Sequence, residues 1–236
     1  WEAPTAAGQW QVRDQVGHLV DTTEGYFRSF DAARGNGTAP EPLGVRDMAG
    51  YVDEGARSLR TVPQDELVDR LRTDYQKMRG IFDGLTDDEW TGLIVPHKYM
   101  GPLPAGFYAS FQLVDYTVHS WDIRQGAGNN HGLEGDAADF LVPLAFIVWS
   151  ATAVVDADTE PFDIGIRLTG RNGGETRGRI TKGGLTFSPE PIDDVPATVE
   201  FDPASFVLTC YGRINGGTWR GDASLADRFR NLFFRI

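Results

Sequence analysis

Cysteine is almost absent: Cys210 is the only one in 236 residues. A single thiol excludes a disulfide framework and a cysteine-built zinc site, so any metal must be held by nitrogen and oxygen. It also places the chain in a reducing compartment, the cytoplasm. Positive charge is scarce as well. Against 34 acidic residues stand 22 lysines and arginines, a net charge of −12, which argues against nucleic acid or an anionic membrane surface because long-range repulsion opposes approach. A small molecule is the partner this leaves. No hydrophobic run is long enough to span a bilayer. The longest uncharged stretch, Phe140 to Val155, carries Pro143, falls short of the ~20 residues a span needs, and reads as a buried helix. An initiator methionine and a targeting segment are also missing. Trp1 reads as mid-domain sequence, and a further segment is expected to precede it in the natural protein.

With 41% apolar and 24% charged residues, the rest describes a soluble globular chain of one large or two modest domains. Apolar residues Val12, Val16, Leu19, Val20, Tyr26, Phe27 and Phe30 predict a helix over Gln11–Arg34, ended by Gly35, Asn36 and Gly37. A weakly patterned helix over Arg46–Leu59 follows. Pro63 suits the first turn of a third, whose Leu67, Leu71, Tyr75, Met78, Phe82 and Leu85 step by threes and fours. Thr86 with Glu89 reads as a capping box. A loop, Thr91 to Pro104, leads into the helix around Leu113–Gln125, and another apolar helix runs from Asp136 to about Val155. Beyond Thr159 the pattern alternates, predicting four short strands between Phe162 and Phe201. Asp202 and Pro203 open a helix, and a last one covers about Leu225–Phe234. The reading is α+β, mainly α: a helical bundle over residues 1–159 and a small α+β domain over 160–236.

Chemistry concentrates in LVDYTVHSWDIRQ, residues 113–125. Asp115, His119 and Asp122 fall at i, i+4 and i+7, a polar stripe on a helix whose Phe111, Val114, Val118 and Trp121 demand burial. Buried ionisable groups need a partner, and a divalent metal serves, with Asp115 and His119 as ligands from adjacent turns. His18, on the first helix, can complete a two-histidine, one-carboxylate set that leaves coordination positions open. Zinc is the first choice by ligand type; nickel, iron and manganese accept the same donors. Asp122 suits the other ring N–H of a ligand histidine. Gly17 lets a backbone or an ion come close to His18, and Asp14, Asp21 and His97 are candidates for closing the site. The bland alternative is a pair of satisfied core histidines, with Asp115 and Asp122 paired to Arg124, Arg13 or solvent. His97 sits in a loop that can form the mouth of a site and touch substrate, although a lone loop histidine is ordinarily solvent-exposed. Cys210 reads as inert packing. Arg213 follows a helix end, where it can bind a substrate carboxylate across a domain cleft or neutralise the helix C-terminus.

Two segments carry a family resemblance. GQWQVRDQVGHLVD resembles the W-x-V-x-D-x-x-x-H-L segment, and LVDYTVHSWDIRQG the E-x-x-x-H-x-W-D segment, of the mycothiol-dependent maleylpyruvate isomerase family. ATVEFDPASFVLTCYGR is similar to that family's small sterol-carrier-protein-type domain. The resemblance implies a DinB-like four-helix bundle with metal ligands at His18, Asp115 and His119, and a catalytic arginine matching Arg213. Two departures stand out. Asp115 replaces the usual glutamate, one methylene longer, and WEAPT resembles the segment just after the family's opening helix, so that helix is expected to be missing here.

By the same resemblance the co-substrate is mycothiol, whose thiol the metal acidifies. Thiolate addition to an electrophilic double bond, rotation and elimination give an isomerase; stopping at addition, or displacing a leaving group, gives a thiol transferase. The implied substrate is a small unsaturated keto-acid-like molecule, with Arg213 steadying a developing enolate or carboxylate. Two other functions fit the residues: a thiol-independent metal hydrolase or lyase, and a non-catalytic small-molecule-binding protein with a structural metal. Substrate identity and oligomeric state are left open by the sequence.

Overall fold

The computed structural model describes residues 1–129 and 131–235. The chain is α+β and mainly helical, and it divides into two compact units, Trp1–His131 and Gly132–Ile236.

The first unit holds α1 (Val12–Ala33), α2 (Val45–Ser58), α3 (Gln64–Asp83), α4 (Asp87–Gly92) and α5 (Gly106–Gly126). Periodicity placed these helices to within a few residues. Pro63 stands one position earlier than expected, as the N-cap of α3 with extended backbone (φ −55°, ψ 146°). The capping box at α4 is present, with the Thr86 hydroxyl accepting from Glu89 N and the Glu89 carboxylate from Thr86 N. Val16 and Val20 of α1 pack with Leu67 of α3 as a buried apolar seam. On its next face α1 meets α5 in antiparallel order. Gln15 reaches Asp122, Gln112 donates to Thr23, and the Tyr26 ring abuts Phe111 and Tyr108. The loop before α5 contains a hairpin that alternation could not reveal, because β1 (Ile94–Val95) and β2 (Leu103–Pro104) are two residues each.

The second unit opens with α6 (Gly135–Thr152). The compact unit begins at Gly132, whereas the sequence-based reading grouped that helix with the bundle and cut after Thr159. The cause lies in its aromatic face. Phe146 packs on Phe187 and Phe206 at 4.8 and 4.6 Å, and Trp149 on Phe206, Phe229 and Phe233 at 5.1, 5.2 and 5.0 Å. By length and composition α6 is also the one described helix apolar enough to cross a membrane; Leu141, Val142, Leu144, Ala145 and Val148 are buried in the core. The sheet runs β5-β4-β3-β6-β7, from β3 (Phe162–Leu168), β4 (Gly174–Thr181), β5 (Gly184–Ser188), β6 (Ala197–Phe201) and β7 (Thr218–Gly221). The β3–β6 pair is parallel and the other pairs antiparallel. Four of these strands were expected. The fifth, β7, is a four-residue edge strand whose pairing with β6 has no signature within so short a segment. Asp202 caps α7 (Pro203–Cys210) by accepting from Ser205 N, and Asp222 caps α8 (Ala223–Arg230).

Candidate metal centre

Antiparallel packing of α1 on α5 brings His18 opposite Asp115 and His119. One ligand atom from each of the three lies within 4.8 Å of the others, and no other such group occurs among the described residues. His18 Nε2 is 3.8 Å from Asp115 Oδ1, and the two imidazole rings meet edge to face at 4.7 Å. Ligands about 2.0–2.2 Å from a shared ion stand roughly 3.4 Å apart, so small side-chain movements suffice to close the set.

Both histidines have one nitrogen engaged and one turned to the centre. Nδ1 of His18 meets Thr22 Oγ1 at 3.3 Å. Nδ1–H of His119 donates to Asp122 Oδ2 at 3.0 Å, which leaves Nε2 as the ligating atom. Asp122 is fully buried, and the same oxygen accepts from Gln15 Nε2 at 3.4 Å. Asp115 Oδ2 is enclosed and has no hydrogen-bond partner. An ionised oxygen in that position costs free energy unless a cation reaches it, so the residues fit a metal ion.

Trp10 covers the histidines, with ring centres 5.1 Å from His18 and 5.8 Å from His119. Its indole N–H donates to Asp53 of α2 at 2.7 Å, and Arg57 holds the same carboxylate at 2.7 and 2.9 Å. Burial alone raises the Asp53 carboxyl, but the bonds from Trp10 and Arg57 bring it below its ordinary value. Helix α2 comes this close because residue 17 is glycine: a Cβ there would stand 2.6 Å from the Ala56 carbonyl oxygen. Of the two approaches that Gly17 permits, it is the backbone of α2 that uses it.

None of the candidates for a fourth ligand belongs to the converging set. Asp14, fully buried, accepts from Arg60 Nε and Nη2, each at 2.7 Å, and from Gln11 N at 2.9 Å. Its carboxyl is raised by burial, but the bonds from Arg60 and Gln11 outweigh this and hold it low. Asp21 lies against Gly55 of α2. His97 is buried rather than solvent-exposed, because Nδ1 accepts from the backbone of Tyr99 and Met100 and the ring packs on Phe111. The arginine pairings offered in the bland alternative are not those observed. Arg13 bonds to Glu2, and Arg124 to Ser120.

Arg213 belongs to the second unit. Its Nη1 donates to the Tyr211 carbonyl at 2.8 Å, at the C-terminal end of α7, a contact that suits the helix-neutralising reading. Cys210 is buried, and burial pushes its thiol well up. Sequence reasoning passed over Trp10, although it opens the first quoted segment, and Gln15, Thr22 and Asp53. A tryptophan at a motif's edge is a signal for the first. Asp53 carries none, because its role depends on where α2 docks.

Fold and site together define a helical-bundle protein with a candidate two-histidine, one-carboxylate metal set, joined to a small α+β unit. The family described as mycothiol maleylpyruvate isomerase N-terminal domain matches residues 1–124, more than half of the chain. The protein belongs to that family, which is named for an enzyme. Crystal structures of the mycothiol-dependent maleylpyruvate isomerase and of a histidine-to-alanine mutant of it share the fold. The mutant has a TM-score of 0.61 at 13% identity, covering 100% of this chain and 85% of its own. The other has 0.60 at 13%, covering 98% and 84%. No curated protein matches the chain.

Proposed function

We propose that the protein is a metal-dependent enzyme that uses mycothiol, as an isomerase or thiol transferase, on a small unsaturated keto-acid-like electrophile. The observation that carries this reading is the convergence of His18, Asp115 and His119 around an enclosed, unpartnered carboxylate oxygen in a member of this family. When bound, a divalent metal lowers the pKa of a thiol brought to it, so that thiolate exists near neutrality. Zinc suits two imidazoles and a carboxylate best, and nickel, iron or manganese are the alternatives.

The chain's own residues do the rest. His18 and His119 present Nε2, Asp115 supplies the anionic donor, and Asp122 sets the tautomer and direction of His119. Trp10 limits water on one side of the pair. The protein contributes no reactive thiol, since its one cysteine is buried and its pKa is pushed up, so a sulfur nucleophile in this reading arrives as a free small thiol. Arg213 is assigned, by the family resemblance, the stabilisation of the substrate's carboxylate or developing enolate. We further read the chain as cytoplasmic, from its single cysteine and its acidity.

The test is elemental analysis of purified wild type and His119→Ala, followed by turnover of maleylpyruvate with and without mycothiol. About one equivalent of transition metal in wild type, lost in the variant, together with thiol-dependent turnover, is the expected result. Activity that ignores the thiol favours a hydrolase or lyase. Absence of metal after reconstitution with zinc, nickel or iron leaves a small-molecule-binding protein.

A further inference from the structure

One of the two ring nitrogens of His97 does everything its loop requires. Nδ1 accepts from Tyr99 N at 3.3 Å and Met100 N at 3.1 Å. A nitrogen that accepts two N–H donors carries no proton, so the hydrogen is on Nε2. The loop is closed by main-chain bonds of 3.2 Å running both ways between His97 and Gly101, whose φ of +76° suits glycine. Tyr108 ties it down further by donating its hydroxyl to the Pro96 carbonyl at 2.7 Å.

The imidazole is wedged between Phe111, Tyr108 and Tyr26, at 4.8, 5.6 and 6.2 Å between ring centres, and is only 9% exposed. Nε2 has no hydrogen-bond partner among the described residues, yet it is not one of the wholly enclosed unpartnered atoms. The accessible edge of the ring therefore carries a fixed N–H with nothing to bind. Its location is informative. Phe111 precedes Asp115 by one turn of α5, about 6 Å along the axis, and Tyr26 stands two turns beyond His18 on α1. His97 touches both rings, so it lies along the same α1–α5 face as the metal set, close enough for the Asp115 charge to act on it. Burial keeps the ring neutral, with its pKa pushed down to about 4.

We propose that His97 binds substrate as a neutral hydrogen-bond donor, its Nε2–H directed at a carbonyl, enolate or carboxylate oxygen about one helical turn from the metal ligands. This deepens, and rests on, the metal-and-thiol reading. It selects an extended oxo acid, with an oxygen remote from the carbon that meets the thiol, over a compact electrophile. A neutral donor suits that oxygen, because a charged imidazolium beside Asp115 would pair with the ligand carboxylate instead.

Two substitutions separate this role from the capping of the loop. His97→Asn keeps an acceptor where Nδ1 stands but has no donor at the Nε2 position, whereas His97→Gln carries an N–H out to that position and gives up the cap. With mycothiol and maleylpyruvate, His97→Asn is expected to melt near wild type while losing on the order of 100-fold in kcat/KM, the cost of a lost oxyanion donor. His97→Gln is expected to melt lower yet retain activity within about tenfold. Full activity in His97→Asn, or losses in both variants that merely follow melting temperature, would overturn the proposal. A second readout works even if wild type shows no thiol-dependent turnover and the functional reading fails. In zinc-loaded protein titrated with 2-oxoglutarate as an inert extended 2-oxo acid, the His97 Nε2–H proton resonance is expected to move downfield. An unmoved resonance at saturating 2-oxoglutarate counts against the donor role.

Discussion

Replacing Asp122 by asparagine isolates the charge behind His119. The carboxylate is fully buried and its Oδ2 receives His119 Nδ1–H at 3.0 Å and Gln15 Nε2–H at 3.4 Å. Asparagine has the same shape, and its carbonyl oxygen can still accept from the imidazole, so ring orientation is retained while the negative charge is lost. A ligand histidine deprived of its carboxylate partner typically gives up 10–100-fold in metal affinity, about 1.4–2.7 kcal/mol. The upper half of that range is expected, because a charge with no solvent exposure is weakly screened. The folded metal-free protein loses less, roughly 1 kcal/mol, as a charge-assisted bond becomes a neutral one. The assay is zinc competition against a chromogenic chelator, with circular dichroism to confirm that the variant is folded. A folded Asp122→Asn with wild-type zinc affinity would refute the reasoning and reduce the His119–Asp122 contact to packing. Gln15→Leu, which removes the amide donor to that oxygen, is expected to produce a smaller loss in the same assay.

Gly17→Ala places a Cβ 2.6 Å from the Ala56 carbonyl oxygen, and overpacking of this kind costs about 1–3 kcal/mol. Urea denaturation is expected to show a shifted midpoint at unchanged slope, and near-neutral stability would mean that α2 moves aside without cost. The buried His97 makes stability depend on pH. Its folded pKa of about 4 lies below the unfolded value near 6.5. Above pH 6.5 both states are neutral, whereas below it the unfolded chain gains the proton first, so stability falls as pH drops towards 4. Between pH 7 and pH 5 the difference between wild type and His97→Asn is expected to change by about 2 kcal/mol, measured by urea denaturation at both pH values. Parallel curves for the two proteins would show that the histidine titrates normally.

Local order was readable from the chain. The three- and four-residue steps in α1 reproduce themselves as a buried seam, and in α3 Leu67 and Met78 are buried while Tyr75 of the expected stripe is exposed, because a helix of 3.6 residues per turn gathers its apolar side chains on one face. The caps at Thr86 and Glu89, and at Asp202, were legible because such bonds span only three residues. The pairing of Asp115 with His119 follows from one helix alone. Tertiary packing decided the rest. Which face of α1 turns to α5, and so whether His18 completes the site, depends on two helices more than seventy residues apart. Asp14, a buried acid on α1, shows the same dependence, since Arg60 from beyond α2 captures it, whereas the bond from His119 to Asp122 spans one turn of α5 and is local. Helix α6 had the composition of a bundle helix and went instead to the aromatic core of the second unit, since apolar content says that a surface will be buried but not against what. Sequence determined the donors and their spacing along each helix; only the fold could bring them within 4.8 Å of one another, because proximity between elements is set by packing rather than by any local preference of the chain.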